Sequence, residues 1–308
     1  MKALLVLAFG GPRSLEEVEF LLTGIFQGRK PSPEQLARVK ERYRLIGGSS
    51  PLPEITRRQA KGLEEKLNNR GYLFKSYVGM RYGHPLIEET LKEILRDGIR
   101  KVIAIPMAPF RSCASTGAYL GEVNRVQENL GEEVEISFIE GWHLNPLFLA
   151  AVREKVREGL MKFTPEEKKK VHLIFTAHSL PKTIIGSDPY VNDFEESVKR
   201  VLEGIEPLKW HIAFQSKGGG LEEWVGPDVE SVLKELSQDK VREVLIVPIG
   251  FVSDHIEVLY DIDILYREKA ESLGMVLKRT PSLNSSEAFI EALASIVEEH
   301  IGRFKGRI

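Results

Sequence analysis

Cysteine is almost absent from this sequence, because Cys113 is the only one among its 308 residues. A single thiol cannot close an internal disulfide, and it supplies no Cys-x-x-Cys pair for a zinc site or a cluster. A reducing, cytoplasmic location is therefore expected.

Long apolar runs and an excess of one charge are also missing. No stretch approaches the ~20 apolar residues that cross a bilayer. The run "ALLVLAF" (3–9) is short and meets Gly-Gly-Pro, so it indicates a buried strand rather than a signal peptide. Forty-three Lys and Arg balance 45 Asp and Glu, for a net charge of −2. That balance argues against a nucleic-acid partner.

What the sequence does contain is a series of short, nearly continuous apolar runs separated by amphipathic helical patterns. This alternation is typical of an α/β fold with parallel strands, whose ligands bind at the carboxyl ends of the strands. The predicted strands are 3–9, 74–79, 101–108, 135–140, 171–177, 210–216, 243–250 and 275–280.

The order of these elements repeats along the chain. Segments 85–109 and 227–251 align without gaps and share Pro, Glu, Leu-Lys-Glu, Asp, Arg, Val and Pro at matching places. The repeat predicts two similar α/β lobes, 1–145 and 146–308, each a parallel sheet flanked by helices, facing each other across a cleft. Pro106 and Pro248 predict that their strands end close by, since proline cannot donate to a ladder.

Titratable residues follow two strands of the second half. His178 ends one apolar run, and Glu257 and Asp261 follow another with helical i, i+4 spacing. Ser253 or Asp254 is expected to cap that helix. The acids favour a path for a divalent cation or for protons. The alternative interpretation is that the acids are capping or solvated residues and the histidine a capping or core residue.

Six strings together resemble the ferrochelatase family: "FTAHSLP", "FQSKGG…W", "VPIGFVSDHIEVLYDID", "YVGMRYGHP", "YRLIGGSSPL" and "SLNSSEAFIEALA". They occur in the family's order and span nearly the whole chain. The resemblance implies two Rossmann-like lobes that hold a porphyrin in the cleft. It also implies that ferrous iron is inserted as a substrate while two pyrrole protons are lost.

The resemblance assigns the central roles to two residues. His178 matches the histidine of the family's "AHSLP" string and Glu257 the acid of "SDHIE", which implies that they face each other across the porphyrin. A neutral imidazole suits proton abstraction near neutral pH, and the carboxylate suits iron binding or proton relay. The resemblance thus implies His178, Glu257 and Asp261 as metal ligands, with Asp261 continuing the path for metal or protons.

The resemblance also implies a set of substrate-binding side chains. Arg38 is the candidate for a propionate, although a solvated helix residue is the alternative. Aromatic walls are expected for a flat ligand, with core packing as the alternative for each ring. The predicted substrate-binding residues are Phe9, Arg38, Tyr43, Ser50, Arg81, Tyr82, Trp224 and Phe251.

Several positions depart from the family pattern. Phe9 stands where the coproporphyrin-using branch has tyrosine, and Phe26-Gln27 where it has paired arginines, which favours protoporphyrin IX over coproporphyrin III. Leu265 replaces a third acid of the family's helix. Cys113 matches an internal cluster ligand, but no further cysteines follow, so no iron–sulfur cluster or other cofactor is expected.

Three other functions remain open from the sequence. A cobalt- or nickel-inserting sirohydrochlorin chelatase would have a second histidine in place of Glu257. A binding module of the periplasmic type would need a signal peptide. A phosphate-binding enzyme is suggested only by Gly10-Gly11 and by 218–220, which match neither GxGxxG nor GxxxxGK[ST].

Membrane-surface contact is a further expectation of the sequence. Leu21, Leu22, Ile25 and Phe26 form either an exposed apolar lip or the buried face of an amphipathic helix, and the buried face is favoured.

Overall fold

The computed structural model of the chain describes residues 1–130, 134–219 and 222–305, so Gly220 of the glycine-rich segment lies outside the described residues. The strands are β1 (Lys2–Ala8), β2 (Phe74–Met80), β3 (Lys101–Pro106), β4 (Glu135–Phe138), β5 (His172–His178), β6 (Lys209–Gln215), β7 (Glu243–Val247) and β8 (Val276–Arg279). Each of the eight predicted strands is confirmed to within a few residues.

Helices connect and flank these strands. They are α1 (Val18–Ile25), α2 (Pro33–Leu45), α3 (Leu52–Asn69), α4 (Ile87–Arg96), α5 (Thr116–Leu130), α6 (Pro146–Leu160), α7 (Pro165–Lys168), α8 (Tyr190–Leu202), α9 (Val229–Gln238), α10 (Ile256–Leu259), α11 (Arg267–Ser272) and α12 (Glu287–Lys305), with a 3₁₀ turn at Leu15–Glu17 and a π-helix at Asp261–Tyr266.

The strands form two parallel sheets with the same order, β2-β1-β3-β4 and β6-β5-β7-β8. In both sheets the first strand lies between the second and the third. The strand order therefore reverses between β1 and β3, and again between β5 and β7. Such reversals leave a crevice at the carboxyl ends of the strands, where α/β proteins bind ligands. The α/β prediction with two similar lobes is confirmed.

The internal repeat has a direct structural counterpart. The first aligned segment forms α4 and β3, and the second forms α9 and β7 at the corresponding positions. Pro106 is the last residue of β3, and Pro248 directly follows β7. Both strands end where proline would interrupt the ladder, as predicted.

Apolar residues of the two halves pack into one another. A single buried cluster includes Leu4 and Leu63 of the first half together with Phe175 and Phe289 of the second. Helix α12, near the end of the chain, packs against both α3 and α6. The boundary at residue 145, directly before α6, stays a prediction.

The short helix α1 settles one expectation about apolar residues. Leu21 and Leu22 are buried, and Ile25 and Phe26 are partly buried against the same cluster. The buried-face interpretation is therefore confirmed, whereas Phe20 on the other side is exposed. In the described part of the chain, no helix has the length and apolar character needed to span a bilayer.

Candidate active site

A cleft lies where the two strand-order reversals face each other. It encloses about 290 Å³, close to the lower end of the ~300–1,000 Å³ typical of ligand pockets. Its lining comes from the ends of β1, β2 and β3 in one half and of β5 and β7 in the other. The residues include Phe9, Gly10, Tyr43, Ser50, Arg81, Met107, Tyr119, His178, Tyr190, Phe251, His255 and Glu257.

His178 and Glu257 form a pair at the floor of this cleft. The imidazole Nε2 lies 3.4 Å from the carboxylate Oε1, and the two side chains are 33% and 31% exposed. On the other side of the ring, Nδ1 contacts the main-chain carbonyl of Ser179. The hydroxyl of Tyr190 donates to the main-chain carbonyl of His178 at 2.9 Å. The histidine is therefore held from both its ring and its backbone.

The two members of the pair shift each other's pKa. Burial opposes the charged form of His178, but the Glu257 carboxylate outweighs it and raises the pKa of the imidazole. Burial likewise disfavours the ionised Glu257, yet the charge and hydrogen bond of His178 lower the pKa of the carboxyl. With acceptors at both ring nitrogens, the imidazolium is favoured. That His178 acts as a neutral imidazole during proton abstraction stays a prediction.

The contact between the pair bears on its expected placement. His178 and Glu257 touch each other directly in this structure. A flat macrocycle between two side chains would need a full van der Waals separation on each face. Their placement on either side of a porphyrin stays a prediction.

The cap of the helix that carries Glu257 also differs from the prediction. His255 is the N-cap of α10, and its Nδ1 accepts a hydrogen bond from the main-chain nitrogen of Glu257 at 3.1 Å. Ser253 and Asp254 do not cap, because both are engaged elsewhere. Ser253 accepts a hydrogen bond from α3, and Asp254 exchanges main-chain and side-chain bonds with Asn284.

Asp261 lies beyond Glu257, where the helix changes its winding. The predicted regular helix is wrong here, because α10 ends at Leu259 and a π-helix begins at Asp261. Single π-helical turns are frequent at functional sites. The Asp261 side chain is only 6% exposed and accepts a hydrogen bond from Ser216 Oγ at 2.5 Å. Burial, with a smaller effect of the Glu257 charge, raises the pKa of Asp261 to about 6.

The three predicted metal ligands are near one another but do not form a ready-made site. Within the described ranges, no three His, Cys, Asp or Glu side chains are arranged to hold a metal ion. His178 and Glu257 are in contact, whereas Asp261 is bound to Ser216. Leu265, where a third acid was expected in the family, is 37% exposed.

Five of the predicted substrate-binding residues line the cleft. Arg81 is the one Lys or Arg among the described lining residues, and its guanidinium lies over the rings of Tyr82 and Tyr119. It is therefore the cation available to a carboxylate in the cleft. The five are Phe9, Tyr43, Ser50, Arg81 and Phe251.

The other three lie outside the lining. Tyr82 packs edge-on against Phe9, with ring centroids 4.8 Å apart, and so supports the wall from behind. Arg38 is exposed on α2, which agrees with the alternative of a solvated residue. Trp224 is partly buried above Gly218, where a Cβ would clash with the indole. The structure does not bring these side chains into the cleft.

Sequence reasoning missed several residues of the site. Tyr119, Tyr190 and His255 line the cleft, and Gln215 lies directly behind it. His255 and Gln215 both stand in strings that carry the family resemblance, so their position in the motifs was a usable signal. Tyr190 carried no such signal, because a helix brings it to His178 from 12 residues further along the chain.

The two lobes have the same strand order, and a histidine, an acid and a second buried acid lie at the cleft between them. This arrangement defines a protein of the chelatase class. The Ferrochelatase family model matches residues 1–301, and the chain belongs to the ferrochelatase family, whose members are metal-inserting enzymes.

Similar proteins agree with this assignment. The "Ferrochelatase" of Deinococcus radiodurans is 39% identical over 96% of this chain and 94% of its own. The "Coproporphyrin III ferrochelatase" of Oceanobacillus iheyensis is 38% identical over 96% and 95%. Among solved structures, SirB from Bacillus subtilis with Fe³⁺ covers 99% of this chain and 98% of its own, with a TM-score of 0.61 and 14% identity. That likeness shows the shared fold.

Proposed function

We propose that this protein inserts ferrous iron into protoporphyrin IX, with release of the two pyrrole protons, and so produces haem. The observation that carries the proposal is the His178–Glu257 pair at the floor of the cleft, with Asp261 behind it. Insertion requires a cation-binding carboxylate and acceptors for two protons, and this group contains both.

The geometry supports distinct roles for the three residues. Glu257 is the carboxylate ligand that receives the cation, because its lowered pKa keeps it ionised. A cation at Glu257 repels the proton on His178, which is 33% exposed and releases that proton to solvent in the cleft; the neutral imidazole then accepts a pyrrole proton. Asp261 is the second acid of the proposed path for metal and protons, and with a pKa of about 6 it exchanges protons readily near neutral pH.

Three features of the chain favour protoporphyrin IX over coproporphyrin III. Phe9 offers no hydroxyl to the ligand, and Phe26 and Gln27 offer no guanidinium. Arg81 is the one Lys or Arg of the described lining, which suits a ring with fewer propionates. Coproporphyrin III remains the second candidate, because the Oceanobacillus relative carries that name.

The experiment is anaerobic metal insertion followed by absorbance, with ferrous iron and either porphyrin. We expect a haem spectrum with protoporphyrin IX and a higher kcat/KM than with coproporphyrin III. The reverse order would make coproporphyrin III the substrate. Insertion of cobalt into sirohydrochlorin without insertion of iron into either porphyrin would overturn the proposal.

Iron is proposed as a substrate and not as part of a resident cluster. The single cysteine in the sequence supplies one of the several thiolates that a cluster needs. Purified protein is expected to contain no acid-labile sulfide.

We further propose a cytoplasmic enzyme whose partners are porphyrin and iron, without a nucleic-acid partner and with transient contact to a membrane surface. Cell fractionation and vesicle flotation test this location.

A further inference from the structure

Two consecutive residues at the end of β6 hold the two acids of the site. Gln215 Nε2 donates to the main-chain carbonyl of Glu257 at 2.8 Å. Ser216 Oγ donates to Asp261 Oδ2 at 2.5 Å. Gln215 thus binds Glu257, and Ser216 binds Asp261, which lies one turn further along the helical segment.

Gln215 also connects this acid-bearing segment to the histidine. It lies opposite His178 in the β5–β6 ladder, and its main-chain carbonyl accepts a hydrogen bond from Ser179 at 2.7 Å. Its side chain is only 1% exposed, and in the described structure its Oε1 has no partner. A buried amide oxygen without a partner is costly. The amide is therefore held by its donor side alone, through the hydrogen bond to Glu257.

Ser216 occupies an unfavourable backbone conformation. Its φ is +60°, in the left-handed region that glycine adopts freely and serine does not. Such strain persists where the surroundings fix it and is concentrated at functional sites. What serine adds over glycine here is the hydroxyl that contacts Asp261.

From these contacts we propose that Gln215 and Ser216 are positioning residues for metal insertion. Gln215 fixes the backbone of Glu257 relative to His178, and Ser216 fixes the carboxylate of Asp261. The two residues together set the spacing of the acids along which the divalent metal enters. The inference rests on the proposed function, since it names residues that support the same site.

The two contacts predict different kinetic effects. Gln215 acts on the residue that contacts the metal during insertion, so Gln215→Met is expected to lower kcat about tenfold. Ser216 acts on the entry acid, so its loss is expected to raise the KM for metal about tenfold and change kcat by less than about threefold. A general loss of structure would not lower kcat in the Gln215 variant alone and raise the KM for metal in the Ser216 variants alone.

The deciding comparison uses two variants of one residue. Ser216→Ala removes the hydroxyl and keeps the strain, whereas Ser216→Gly removes both. Thr176→Val is the matched control, because Thr176 is fully buried on β5 and its hydroxyl has no partner in the described structure. Zinc insertion into protoporphyrin IX is measured against zinc concentration, and zinc binding to the free enzyme is measured by competition with a chelating dye.

We expect both Ser216 variants to show the same rise in KM and in the zinc Kd, although Ser216→Gly is the more thermostable of the two. The control is expected to match the wild type in both constants. A Ser216→Gly enzyme with wild-type constants would overturn the inference, since the hydroxyl would then not be needed. Wild-type constants in all variants would overturn it equally, and the Ser216 pair decides if Gln215→Met fails to fold. A wild-type enzyme that inserts no metal would instead overturn the proposed function, and the inference with it.

Discussion

The two halves of this molecule use one scaffold for different purposes. Strands β1 and β5 are both seven residues long and occupy the same place in sheets of the same order. Yet β1 ends in Ala8, opposite Met80, whereas β5 ends in His178, opposite Gln215. The β1–β2 pair of the first half thus ends in apolar residues, whereas the equivalent β5–β6 pair of the second half ends in a titratable and a polar one.

This difference shows that the repeated fold fixes where the strand-end residues lie but not which chemical groups they carry. Both strand-order reversals open into the same cleft, so each half contributes one wall. The first half offers Phe9 and Arg81, which suit recognition of a flat, carboxylated ligand. The second offers His178 and Glu257, which suit metal and proton transfer. Substitutions in the two halves should therefore affect binding and chemistry separately.

The largest expected effect is on the chemistry of the second half. His178→Ala removes the imidazole that accepts a pyrrole proton, and kcat should fall about a thousandfold, or about 4 kcal/mol. Fluorescence titration should show that porphyrin still binds. A loss of less than about tenfold in kcat would contradict the role given to His178. Ala8, the corresponding residue of the first half, has no side-chain group that could accept a proton in place of His178.

The pH dependence of the unfolding free energy should reveal the cost of burying the ionised Asp261 carboxylate. Asp261 has a pKa raised to about 6, so the folded protein holds its proton more tightly than the unfolded chain. Stability is therefore fully present below the ordinary carboxyl pKa and is lost as the pH rises through about 6. Relative to the wild type, Asp261→Asn should gain up to about 3 kcal/mol between pH 4 and pH 8. Urea unfolding at both pH values measures this, and a pH-independent difference would contradict it.

Glu257→Gln separates charge from shape in the same half. The amide preserves the side-chain volume but removes the negative charge that holds the cation, and kcat should fall about a hundredfold, or about 2.7 kcal/mol. The pKa of His178 should fall as well, because its raised value depends on that carboxylate. Steady-state kinetics with zinc and histidine NMR titration provide the two measurements. Full activity would remove Glu257 from the mechanism.

The smallest effect is expected from the first half. Arg81→Met keeps most of the side-chain length and removes the cation of the lining, so the KM for porphyrin should rise about tenfold, or about 1.4 kcal/mol. The kcat at saturating porphyrin should change little. A fall in kcat as large as that of Glu257→Gln would contradict the assignment of ligand binding to the first half and chemistry to the second.

Much of the scaffold could be predicted from local patterns. Short apolar runs between amphipathic helices predicted every strand, because buried parallel strands must be apolar on both faces. The matching prolines predicted the ends of β3 and β7. The family resemblance also indicated five residues that line the cleft, whereas Arg38, Tyr82 and Trp224 lie elsewhere because a resemblance in sequence does not say which way a side chain faces.

The sequence by itself thus determined the α/β class, the repeat and the residue types available at the strand ends, since these follow from local periodicity and chemistry. The tertiary structure decided which atoms meet. It placed His178 against Glu257, made His255 the cap of α10, and brought Gln215 behind the acids. The π-helix at Asp261 was equally invisible in the sequence. The contacts of Glu257 with His178 and Gln215, and of Asp261 with Ser216, join residues about 40 to 80 positions apart, and no local pattern encodes such contacts.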